Sequence, residues 1–216
     1  HSLIQPRAAA KEAGPVGVEM ARRLRMVRAM ALQPESWTQK TRDAWVAAEA
    51  AAKELAHREV LPAHLLRGLI KQESGFVSPL LQRSGVAPEL ALKHAEEVLA
   101  KQPKVQGGDT RPSPELVRLF EAADALRRTE GDEFLSTEHL LLALCASDAA
   151  LGQALRASGA QPEVLRETLR SLRGARRVTD DNPEAKDDAL RKFASDRTAR
   201  ARDGEGLEGR SDLDQG

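Results

Sequence analysis

The residues of this chain best suited to chemistry are His64, His139, Cys145 and the run Ser136-Thr137-Glu138-His139. His64 and His139 occupy equivalent repeat positions in otherwise apolar helices, and no cysteine or acidic ligand set recurs with them at metal-ligand spacing. They read as packing histidines at helix starts. The serine, acid and histidine of 136 to 139 are neighbours on one helical turn, so they cannot line up as nucleophile, base and orienter. That run reads as an N-terminal helix cap. Cys145 has no partner for an internal disulfide and lies in the apolar run 140 to 146, which makes it a small buried side chain. A phosphate loop needs Gly-x-x-x-x-Gly-Lys-Ser/Thr, and the chain contains no Gly-Lys dipeptide. The expectation is a non-enzymatic protein with no catalytic residue, cofactor or metal.

The elements that must position these residues form a repeat. Aligning His64 on His139 sets Leu65, Leu66 and Leu69 on Leu140, Leu141 and Leu144; after a one-residue deletion, Leu81-Gln-Arg-Ser-Gly-Val-Ala-Pro-Glu aligns with Leu155-Arg-Ala-Ser-Gly-Ala-Gln-Pro-Glu. Each half opens on an amphipathic helix. Ala44, Ala47, Ala48, Ala51 and Leu55 mark the first, and Leu116, Leu119, Phe120, Ala123 and Leu126 the second, at three- and four-residue steps. Pro88 and Pro162 suit a first helical turn, and Gly85 and Gly159 a left-handed helix end. Four helices per half are predicted, over 38–57, 62–72, 77–84 and 88–101, then 114–130, 137–147, 149–158 and 162–173.

Between the halves, residues 102–114 hold three prolines and two adjacent glycines and read as a mobile connector. Residues 1–29 read as a poorly ordered N-terminal extension. Residues 174–216 read as a polar tail with one exposed helix starting near Pro183 and disorder beyond Arg202. The fold class is all-α, a pseudo-twofold duplicated four-helix repeat over residues 30–173, with repeats at 38–101 and 114–173.

Thirty-three basic residues balance 33 acidic ones, so no long-range field would hold nucleic acid or an acidic membrane. No apolar stretch approaches the ~20 residues of a membrane span, and arginines break the only signal-like run, 20–32. A cytoplasmic protein is the simplest account.

Four motifs carry a family resemblance: Trp-Thr-Gln-Lys-Thr at 37–41, Pro-Ala-His-Leu-Leu at 62–66, Gly-Asp-Glu-Phe-Leu-Ser-Thr-Glu-His-Leu-Leu-Leu-Ala-Leu at 131–144, and Arg-Val-Thr-Asp-Asp-Asn-Pro-Glu at 177–184. In that order and spacing they resemble the Clp N-terminal double repeat, and the last is similar to the linker of the ClpB disaggregating chaperones. The resemblance covers about residues 30–203. It implies an eight-helix globule that captures unfolded or aggregated polypeptide for two AAA+ ATPase rings, in protein refolding and heat stress. The ATPase modules are expected to be absent from this chain, which would then be a monomer. The alternative is a stand-alone adaptor that recruits clients to a separate Clp ATPase.

The resemblance carries three polar residues to the polypeptide-binding surface: Thr38, Asp132 and Glu138. Alongside it stand local structural roles: a cap for Thr38, a turn former for Asp132 and a first-turn dipole partner for Glu138. A binding surface also needs apolar area rimmed by polar groups, and in a pseudo-twofold globule its natural place is the seam between halves. Leu116, Leu119, Phe120 and Leu126 are the candidates for that groove, or else fill the core. Arg173, Arg176 and Arg177 flank the linker, where they could touch a neighbouring ring or acidic client segments, or form a solvated hinge.

Overall fold

The computed structural model describes residues 34–105, 109–173 and 178–182. Among the described residues, eight α-helices account for nearly all of the regular structure: α1 (Gln39–Glu54), α2 (Pro62–Lys71), α3 (Val77–Arg83), α4 (Pro88–Ala100), α5 (Pro114–Glu130), α6 (Thr137–Ala146), α7 (Ala150–Ala157) and α8 (Pro162–Arg173). A single 3-10 turn, Pro34–Ser36, precedes them. The expected all-α duplication is therefore present, with helix ends close to those read from the sequence. α1 stops before residue 57 because Ala56 turns to a positive φ of 57°.

Local sequence sets these boundaries. Prolines occupy the first turn of α2, α4 and α5, where no amide donor is needed. Thr38 and Ser113 cap α1 and α5 by accepting the amides of Thr41 and Leu116. Gly85, Gly131 and Gly159 take φ of 81°, 74° and 101°, a region costly for any side chain with a Cβ.

The two repeats interlock by exchanging the same contact twice. The two-residue strand β1 (Glu59–Val60), which leads into α2, pairs in parallel with β2 (Arg111–Pro112), which leads into α5, with Val60 opposite Pro112. Symmetrically, Leu135 ahead of α6 bridges in parallel to Trp37 ahead of α1. Leu135 is the repeat equivalent of Val60, and Trp37 that of Pro112. Each half thus lends an extended lead-in to the other. Likewise α3 packs on α8, and α7 on α4.

α2 and α6 form the centre, with Thr137 through Cys145 all buried. Trp37 stacks on Phe120 at 4.8 Å, and Trp45 meets the same ring edge-on at 5.7 Å, joining the start of the first half to α5 of the second. No single described helix is long and apolar enough to cross a membrane.

The connector departs from expectation. Its described residues are tied to the first repeat: Val105 donates to Ala56 O, Arg111 to Arg58 O and Ser113 to Val60 O. Prolines and glycines excluded a helix there, but they left the backbone free to hydrogen-bond in an extended form. Residues 1–29, Arg176, Arg177, the side chain of Arg173 and the tail beyond 182 lie outside the described residues.

Candidate functional site

Seven residues after His57 comes His64, and seven after Asp132 comes His139, so His57 and Asp132 are equivalent positions in the repeat. Both face the histidine that caps the next helix. His64 Nδ1 accepts the amide of Leu61 at 2.9 Å, and its Nε2 lies 2.9 Å from His57 Nδ1. Burial, with His57 and Arg67 nearby, pushes the His64 pKa down to about 4. This ring is neutral, with Nε2–H donating to His57.

His139 does the reverse. Its Nδ1 accepts the amide of Ser136 at 3.1 Å and lies 2.7 Å from the hydroxyl Oγ of Ser136. Its Nε2 lies 3.1 Å from Asp132 Oδ2 and 3.3 Å from Glu130 Oε2, ion-pair distances out of line for a good hydrogen bond. Burial opposes charge on the ring, but Asp132 and Glu130, with Glu138 beside them, outweigh it and hold the pKa up to about 9. Ser136 Oγ is a neighbour that Leu61 does not offer His64. Glu130, Asp132 and His139 place possible ligand atoms within 4.8 Å of one another, a grouping that sequence spacing did not suggest. Asp132 also makes a bond elsewhere, through its other carboxylate oxygen.

That bond runs to the segment after α8. Asp132 Oδ1 accepts the amide of Val178 at 2.8 Å, and Val178 O accepts the amides of Glu133 and Phe134 at 2.9 and 3.3 Å. Val178 is 2% exposed. Three residues on, Asp181 O accepts the amide of Gln39 at 2.6 Å, and its carboxylate lies 3.3 Å from the guanidinium of Arg42. Residues 178–182 therefore lie across the second seam, from the 132–134 loop to the start of α1.

Thr38 and Asp132 lie at this seam, Glu138 stands beside His139, and all three are buried. Thr38 caps α1 and sends its own amide to Leu135 O at 2.9 Å; Thr41 Oγ1 donates to the same carbonyl at 3.0 Å. Glu138 stands in the first turn of α6, where a negative charge suits the helix dipole. The apolar candidates lie inside: Leu116 and Phe120 are fully buried, Leu119 nearly so, and Leu126 half-buried against the core. Leu116, Leu119 and Phe120 fill the core, and the half-buried aromatics Trp45 and Phe134 are closer to the surface. Sequence reading singled out neither Val178 nor Arg42. The 177–184 motif was the available signal.

The family model described as the Clp repeat (R) N-terminal domain matches residues 36–158. Over 169 residues the chain is 38% identical to the chaperone protein ClpB of Mycobacterium tuberculosis (strain ATCC 25618 / H37Rv), a match covering 77% of this chain and 20% of that protein. The chain thus spans about a fifth of the length of the curated relatives it matches. Among solved structures, the Hsp104 N-terminal domain from Candida albicans has a TM-score of 0.60 at 21% identity, covering 68% of this chain and 97% of that one. A ClpV N-domain in complex with a VipB peptide has a TM-score of 0.54 at 22% identity, covering 74% and 94%.

Proposed function

The chain belongs to the Clp repeat N-terminal domain family, and from that premise we propose that it captures unfolded or aggregated polypeptide for the AAA+ rings of a ClpB-type disaggregase in the cytoplasm, as part of protein refolding under stress. The observation that carries this reading is the 38% identity to ClpB chaperones over 169 residues, which runs through both repeats. The ClpV N-domain of the same fold, seen with a VipB peptide, supports polypeptide as the ligand class.

On this reading, capture takes place at the second seam. Thr38, Asp132 and Glu138 form its polar side; Phe134 and Trp45, with Leu126 on α5, supply apolar contact, and Leu116, Leu119 and Phe120 support it from the core. Burial of aromatic surface supplies affinity, and the polar side fixes orientation. The domain's own part is binding, with force supplied by the ATPase rings.

The test is substitution at the seam in the full chain. Phe134→Ala and Asp132→Ala are each expected to weaken binding of a carboxymethylated, permanently unfolded model protein at least fivefold, while far-UV circular dichroism stays unchanged. Unaltered affinity in both folded variants would remove the seam from the proposal.

A further inference from the structure

The second seam has the shape of a site for a separate extended chain, because the fold builds the same site twice and closes it differently each time. After α4, the connector returns to the 56–58 loop, takes the carbonyls of Ala56 and Arg58, and runs covalently into α5. After α8, residues 178–181 return to the equivalent 132–134 loop and end against the first turn of α1. The contacts described for that run are three backbone–backbone hydrogen bonds, one more from the Val178 amide to Asp132 Oδ1, one buried valine and one ion pair at the surface.

We infer that this seam is a binding groove for an extended peptide carrying a β-branched apolar residue followed three positions later by an acidic one, and that Val178–Asp181 fills it as the chain's own substitute for such a ligand. The inference rests on the capture reading above and adds which sequence is captured and what competes for the place.

Each part of the groove selects something. Asp132 Oδ1 and the amides of Glu133 and Phe134 take one residue's N–H and C=O, as an added strand would, so proline is excluded at that position. The pocket that leaves Val178 2% exposed takes a branched aliphatic side chain. The Gln39 amide takes a carbonyl three residues on, and Arg42 the carboxylate beside it. Arg42 is steered by its own bonds to Trp37 O and Gln39 Oε1. The arrangement also accounts for the burial of Asp132: while residues 178–181 stay docked, its Oδ1 is engaged.

The experiment uses the full chain and a fluorescein-labelled, end-capped peptide with the sequence of residues 177–183, read by anisotropy. Two variants lift the internal segment: Val178→Asp puts a charge into the apolar pocket, and Asp181→Lys, at an exposed position, opposes Arg42 with little risk to folding. Both are expected to bind the peptide at least tenfold more tightly than the unaltered chain, and a peptide with proline in place of its valine is expected not to bind. The variants should also hold the carboxymethylated model protein severalfold more tightly, with the peptide competing. Equal or undetectable peptide binding by all three proteins overturns the groove. Client binding that neither variant raises and the peptide does not displace overturns the competition and leaves capture standing. Peptide binding without client binding keeps the groove and overturns capture.

Discussion

His64 and His139 occupy the same place in the two repeats and have pKa values moved in opposite directions: the residue seven positions before the first is His57, and the one before the second is Asp132, with Glu130 beside it. Each imidazole faces the first amide of its helix through Nδ1. The second nitrogen meets a base in the first repeat and two acids in the second. The acids around the second ring raise its pKa, and one of them, Asp132, also anchors Val178.

The two rings impose opposite pH limbs on stability. His64, held down to about 4, stays neutral in the fold while the unfolded chain protonates near 6.5, so stability falls as pH drops from 6.5 toward 4. His57, also lowered by burial, adds to that limb. His139, held up to about 9, contributes stability in full below 6.5 and loses it as pH rises through 9. Each limb amounts to at most roughly 3 kcal/mol. Urea unfolding at intervals from pH 5 to 9 is expected to show greatest stability near pH 6.5, with His139→Gln flattening the alkaline side and His64→Gln the acid side.

Asp132→Asn separates the two duties of that side chain. The amide oxygen can still accept the Val178 N–H, so the segment stays docked, but the ring beside it loses its nearest anion. The His139 pKa, followed by NMR of the ring protons, is expected to fall by at least one unit while the His64 value does not move.

Phe120 joins Trp37 and Trp45 across the repeats, and removing its ring leaves a cavity that rigid helices cannot close. Phe120→Ala is expected to cost about 3–5 kcal/mol and to shift tryptophan emission to the red as Trp37 meets water. A loss below about 1 kcal/mol by denaturant unfolding would contradict the packing described.

Most of the fold was legible because it depends on local signals. Leu and Ala at helical spacing, prolines opening helices and glycines closing them place all eight elements, and the His64/His139 alignment exposes the duplication. What periodicity could not show is pairing at a distance. The lead-in exchange of Val60 with Pro112 and Leu135 with Trp37 follows from folding one repeat onto the other, and neither lead-in announces it in its sequence. The site was legible only in outline. Thr38 and Asp132 lie at the second seam, where their part in binding is proposed, whereas Leu116, Leu119 and Phe120 turn inward, because a helix between two layers buries most of its apolar stripe. Val178 escaped notice since its partner is an aspartate 46 residues earlier.

On the proposed capture function, this chain binds non-native polypeptide and is indifferent to the native form. The direct measurement is a calorimetric or anisotropy titration of the full 216-residue chain with one model protein in two states, native and reduced carboxymethylated. Saturable micromolar binding to the unfolded state, at least tenfold weaker for the native one, is the predicted result. Absence of binding to the unfolded state, or equal affinity for both, would contradict it.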